Sequence, residues 1–266
     1  MSAHFRHIAA LGSSFAAGPG IEPLADRAAG RSARNYPHLL AERLDAELTD
    51  LTVSGATTET VLDVPQRRMK REFPPQLRGL PAHADLVTIT VGGNDLNYAG
   101  SMFALGIAGR ISSYAWVRPL SRVLPGPQVP NPTPDSVEGA AANLTRVVDA
   151  AHGRAPRARI LLVDYLTVIG PDTRQSREAP LDEASVDGLR RLGDQVSRVF
   201  EIAASRSGAE LVRMGERSRG HALGSADPWV TGLPDRLRRL RTLAPFHPNA
   251  AGMRAVADAV AEHLEA

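Results

Sequence analysis

Two residues far apart in the chain carry side chains suited to nucleophilic chemistry. Ser14 stands in Gly12-Ser13-Ser14-Phe15, directly after the apolar run Ile8-Ala9-Ala10-Leu11. His247 stands in Phe246-His247-Pro248-Asn249-Ala250-Ala251-Gly252, ahead of the last helical stretch. A serine hydroxyl is a weak nucleophile until a neighbouring base takes its proton. Imidazole titrates near neutrality, so it can accept that proton and return it to a leaving group. Two more blocks, Val53-Ser54-Gly55-Ala56 and Gly92-Gly93-Asn94-Asp95, also follow strand-like runs. The chain contains no Cys, which excludes a thiol nucleophile and every Cys-based metal site. H-E-x-x-H, G-x-x-x-x-G-K-[ST] and G-x-G-x-x-G are absent, so no metal, nucleotide or other cofactor is expected.

These blocks must be positioned by a framework of alternating elements. Strand candidates are His7–Leu11, Leu51–Val53, Asp85–Val91, Arg159–Val163 and Glu210–Val212. Ile8–Leu11, Leu86–Val91 and Ile160–Val163 are almost wholly apolar, as strands covered on both faces should be. Helix candidates lie between them. Tyr36–Leu48 follows an Asn35 cap with Leu39, Leu40, Leu44 and Leu48 at helical spacing. Ser136–His152, Glu183–Arg206 and Asn249–Leu264 carry similar apolar stripes. Strands separated by helices imply a parallel sheet with right-handed crossovers. The C-terminal ends of parallel strands share one rim, which brings the first three blocks together; a long loop would bring His247 to the same rim. Ala17–Arg34 and Gly170–Asp182 read as loops. Ala99–Pro134 reads as an insertion whose apolar residues (Met102, Phe103, Leu105, Ile107, Tyr114, Trp116, Val117) either pack over a site or form a small core of their own. The whole chain, 1–266, reads as one domain.

The bulk composition narrows the function classes. With 43% hydrophobic and 23% charged residues, the chain fits an ordinary globular protein. No apolar run approaches the roughly 20 residues that span a bilayer. The net charge of +2 gives no reason to expect nucleic acid as a partner. The start of the chain has no room for a secretory leader, and Cys is absent; both point to the cytoplasm, the alternative being a secreted form whose leader has been removed. The oligomeric state is not readable. Arg236, Arg238, Arg239 and Arg241, and the run Gln66–Glu72, read as solvated faces, with recognition of an anionic group as the alternative.

Taken in order, the four blocks resemble those of the SGNH (GDSL-type) esterase and lipase superfamily. Its four name residues would be Ser14, Gly55, Asn94 and His247 here, spread over the whole length. The resemblance implies a three-layer α/β/α sandwich, flavodoxin-like, around a parallel sheet of about five strands. It also implies a serine hydrolase that cleaves a small-molecule carboxylic ester through an acyl-enzyme, with Ser14 as nucleophile and His247 as base. The oxyanion hole would comprise the backbone N–H groups of Ser14 and Gly55 and the Asn94 side-chain amide. Singly, each residue reads as an ordinary turn or helix-entry residue; the ordered conjunction makes the catalytic reading. Asp95 is expected to bond backbone around its own loop.

Two departures matter. Ser13 stands where the family signature usually has Asp, which makes Ser14 the aligned nucleophile. Ala244 stands where an Asp three residues before the His usually orients the imidazole. The expected substitute is the Ala244 carbonyl first and Asp227 second, giving a Ser–His dyad and a modest rate. An acyltransferase with the same acyl-enzyme is one alternative. A binding module that has lost turnover is another.

Overall fold

The computed structural model describes residues 5–114, 126–236, 240 and 242–265. Five strands form the central sheet: β1 (His7–Gly12), β2 (Glu47–Asp50), β3 (Leu86–Thr90), β4 (Arg159–Val163) and β5 (Glu210–Val212). All pair in parallel, in the order β2-β1-β3-β4-β5. This is a doubly wound order whose direction reverses at β1, the position where such sheets place ligands. The register sets Gly12 opposite Thr90, so the ends of β1 and β3 are level on one rim.

The helices complete the layers. A short helix, α1 (Ser14–Ala17), follows β1 at once. On one face lie α2 (Tyr36–Leu44) and the C-terminal helix, α6 (Ala250–Glu265), packed together. On the other lie α4 (Pro134–Arg154) and α5 (Glu183–Ser207), with α3 (Tyr98–Ser112) against α5. Burial on both faces explains the unbroken apolar strands: every residue of Leu86–Thr90 is buried. Side-chain caps begin the helices: Asn35 is the expected one, and Thr133 and Asp182 also accept from the first free N–H groups, of α4 and α5.

Several boundaries differ from the sequence expectation. The helix expected over Tyr36–Leu48 stops at Leu44, because Asp45 adopts a left-handed conformation (φ 50°) that ends it. The freed residues supply β2, which is Glu47–Asp50 and not Leu51–Val53. The Asp50 carboxylate accepts the Thr52 N–H at 2.9 Å and its hydroxyl at 2.6 Å, turning the chain out of regular strand. Leu51 and Val53 still donate to the Ala10 and Gly12 carbonyls, so the segment stays beside β1. The expected loop 17–34 contains two short antiparallel strands, Leu24–Asp26 and Arg31–Ser32. A second such pair, Gln66–Arg68 with Arg71–Phe73, comes from the run read as a solvated face.

Within the 99–134 insertion, α3 is one continuous helix with Ser101, Met102, Leu105 and Gly106 buried. It underlies the loop that carries His247 and does not stand apart as a separate core. Trp116 and Val117 of the expected insertion core lie outside the described residues, as do Arg238, Arg239 and Arg241. Arg236 is exposed.

Candidate active site

Ser14 is the first residue of α1, at the point where β1 has just ended. Its turn is held by bonds on both sides. The Gln76 side-chain amide reads both backbone groups of Gly12, at 2.8 and 3.0 Å, and the Ser13 N–H donates to the Thr90 carbonyl at 2.9 Å. The nucleophile candidate is thereby locked to the ends of two strands.

His247 arrives from the other end of the chain. Its loop is tied down by an exchange with Thr231: the Phe246 N–H donates to the Thr231 carbonyl at 2.6 Å, and the Thr231 N–H donates to the His247 carbonyl at 2.9 Å. Asn249 then caps α6, accepting the Gly252 N–H on its side chain at 2.9 Å. Phe246 is fully buried with φ 59°, an unusual conformation for a bulky residue, and its ring lies against Gly106 of α3. This anchored ring points the following residue, His247, toward β1.

The two meet: His247 Nε2 lies 2.8 Å from Ser14 Oγ. His247 Nδ1 lies 2.8 Å from the Pro245 carbonyl oxygen. A carbonyl can only accept, so Nδ1 carries the ring hydrogen and Nε2 presents its lone pair to the Ser14 hydroxyl. Burial lowers the His247 pKa below its ordinary value near 6.5, with the Pro245 bond opposing the shift. A neutral imidazole facing a serine hydroxyl is the arrangement a general base needs.

The carbonyl that orients the ring is therefore that of Pro245, not of Ala244. The left-handed turn at Phe246 folds the chain so that the carbonyl two residues before His247 faces its ring. Asp227 is elsewhere in its allegiance: its side chain is 73% exposed, with the carboxylate 3.5 Å from His221 Nδ1, and its backbone carbonyl accepts from that same nitrogen at 2.8 Å.

The other two blocks reach the same rim. Asn94 Nδ2 donates to the Ala56 carbonyl at 2.8 Å, joining the third block to the second. Gly55 is exposed with φ 87°, a conformation glycine adopts without strain, and Gln66 Nε2 donates to the Ser54 carbonyl beside it at 3.0 Å. The Gln66–Phe73 strand pair thus props the Gly55 loop. Asp95 accepts from the Thr58 N–H and hydroxyl, which fastens the Asn94 loop to the helical turn Thr58–Leu62.

Residues 10–255 match the GDSL-like lipase/acylhydrolase family. The chain belongs to that family. A lipase of Streptomyces coelicolor, Lipase 2, is 31% identical over 94% of this chain and 82% of its own length. A lipase of Streptomyces rimosus is 27% identical over 91% and 81%. Among solved structures, a phospholipase A1 from Streptomyces albidoflavus NA297 superposes with a TM-score of 0.72 at 21% identity, covering 98% of this chain and all of that one. An extracellular lipase from Streptomyces rimosus gives 0.69 at 23% identity, covering 97% and 99%. The fold is the three-layer SGNH sandwich, and the chain is an ester hydrolase of the lipase/esterase class.

Two residues at this family member's rim escaped sequence reasoning. Pro245 was hidden because the group that faces the imidazole is its backbone carbonyl, which every residue carries. Tyr165 lies two residues beyond β4 and its hydroxyl touches Ser13 Oγ at 2.8 Å. Its place just past a strand end was the available signal. A cavity of about 680 Å³ also opens beside Tyr165, lined by Asp164, Arg190, Arg198 and Arg213 among others, but Ser14 and His247 do not line it. Burial pushes the Asp164 carboxyl up to about 7, against the opposing bond from the Gly215 N–H. Among the described residues, no group of three or more His, Asp or Glu could hold a metal, and no helix is long and apolar enough to cross a membrane.

Proposed function

We propose that this chain hydrolyses acyl esters of the lipid class through an acyl-enzyme on Ser14, with His247 as general base in a Ser–His dyad. The observation that carries the reading is the 2.8 Å approach of His247 Nε2 to Ser14 Oγ, with Nδ1 occupied by the Pro245 carbonyl. In acylation Ser14 Oγ bonds to the ester carbonyl carbon while its proton passes to Nε2. The carbonyl oxygen becomes an oxyanion, received by the N–H groups of Ser14 and Gly55 and by the Asn94 amide hydrogen not given to Ala56. One such donor is worth about 3 kcal/mol in the transition state. Collapse breaks the C–O bond, and the leaving alkoxide takes the proton from Nε2. Water, deprotonated by the same nitrogen, then releases the acid and regenerates Ser14.

A neutral carbonyl stabilises the transient imidazolium less than a carboxylate would, so the rate is modest for a serine hydrolase. The lipid class of substrate rests on the relatives named as lipases. The cytoplasmic expectation finds no support among the relatives. The Streptomyces rimosus neighbour is described as extracellular, and we read this chain as an exported enzyme of that kind.

Labelling with a fluorophosphonate tests the reading. Wild type should be modified at Ser14, with labelling abolished in Ser14→Ala and strongly slowed in His247→Ala. A folded wild type that takes no label would overturn the hydrolase and leave a binding module. Labelling with product formed only when an alcohol acceptor is added would make the chain an acyltransferase.

A further inference from the structure

We propose that Tyr165 is a positioning residue, whose single hydroxyl holds the nucleophile turn and the Asn94 loop at a fixed separation. The inference deepens the Ser14 reading above and rests on it. Tyr165 Oη accepts the Gly93 N–H at 3.2 Å and shares a hydrogen with Ser13 Oγ at 2.8 Å. Gly93 immediately precedes Asn94, and Ser13 immediately precedes Ser14. One oxygen atom therefore stands one hydrogen bond and one residue away from two of the three proposed oxyanion donors.

The rest of the residue keeps that oxygen still. The Tyr165 ring is wedged among Phe15, Tyr98 and Phe200, at centroid distances of 4.4, 6.3 and 5.9 Å. Ser13 is fully buried and Tyr165 is nearly so, so water does not readily replace either partner. A Cβ on Gly93 would come within 2.7 Å of the Tyr165 ring, so this loop can approach the phenol only as glycine. Oxyanion donors act by being in place before charge develops, at separations tolerant of only a few tenths of an ångström. Tyr165 supplies that placement without touching substrate or His247.

The role has a signature distinct from ordinary packing. Tyr165→Phe keeps the ring and removes the oxygen. It should lower kcat by roughly ten- to a hundredfold on a soluble ester with KM within twofold. The rate of fluorophosphonate labelling should fall by a similar factor. The acid limb of the pH–rate profile, which reports His247, should stay where it is. Ser13→Ala removes one of the two bonds and should show a smaller fall in kcat of the same kind. The double variant should match Tyr165→Phe alone, because both changes act through one atom.

A Tyr165→Phe protein with kcat within twofold of wild type overturns the proposal. So does a pair of effects that multiply in the double variant, or an acid limb that moves. Should Tyr165→Phe not fold, Ser13→Ala decides alone: kcat equal to wild type refutes the coupling. A wild type that takes no label sinks the underlying function. A labelled, active wild type with an equally active Tyr165→Phe sinks only this inference.

Discussion

Gly106→Ala places one methyl group far from any substrate and should nonetheless slow the reaction. Gly106 lies in α3, and a Cβ there would sit 2.8 Å from two atoms of the Phe246 ring, whereas ordinary contact begins at 3.4 Å. The buried ring must retreat by about 0.6 Å, because core side chains are close-packed and the helix backbone yields little. Phe246 precedes His247, so the shift is passed to the imidazole, which now stands 2.8 Å from Ser14 Oγ. Moving it to about 3.4 Å reaches the limit of a hydrogen bond. On a scale of about a hundredfold per ångström of misplacement, kcat should fall on the order of tenfold with KM unchanged. Overpacking costs about 1–3 kcal/mol and the Gly→Ala change in a helix returns about 1 kcal/mol, leaving a net loss of about 0–2 kcal/mol. The assays are steady-state hydrolysis of a soluble short-chain ester well below the melting temperature, and a thermal melt. Gly139→Ala is the control: that position is exposed in α4 with nothing within 4 Å of a new Cβ, so it should gain stability and leave kcat alone. A Gly106→Ala enzyme with wild-type kcat would refute the claim that α3 aims His247 through Phe246.

Asp227→Asn should leave kcat/KM within twofold, since the carboxylate faces His221 and solvent; a loss approaching the roughly 10⁴-fold seen when a true triad Asp is replaced would restore Asp227 as the orienting acid. The acid limb of kcat/KM should have its midpoint below pH 6.5. Burial lowers the His247 pKa, so the neutral base survives to lower pH, and activity is lost only as pH falls through the folded value. The same shift means that the unfolded chain binds the extra proton first, so stability also declines as pH drops through that window. A midpoint above pH 7 would contradict the desolvation argument.

Much of the framework was legible because periodicity is a local property. The apolar runs Leu86–Val91 and Ile160–Val163 announced strands covered on both faces, and the helices over 136–152 and 183–206 lie within one or two residues of α4 and α5 at each end. Boundaries failed where one residue redirected the backbone around β2, Asp45 by its left-handed conformation and Asp50 by the bonds its carboxylate accepts from Thr52. The short strand pairs were missed because two- and three-residue strands have too few residues to show alternation.

Which chemical groups are available can be read along the chain: a strand-end serine, a late histidine, a glycine and an asparagine at successive turns, no thiol, and no Asp at position 244. Those are matters of residue type and order. What each group faces depends on the folded chain. It set Ser14 Oγ against His247 Nε2 and chose the Pro245 carbonyl as the ring's partner over that of Ala244 and over Asp227. It also brought the Tyr165 hydroxyl between Ser13 and Gly93. A backbone carbonyl is the same group in every residue, so no residue code can name the one that acts. Its selection comes from the direction of the chain, here the left-handed turn at Phe246 held by a buried ring against Gly106.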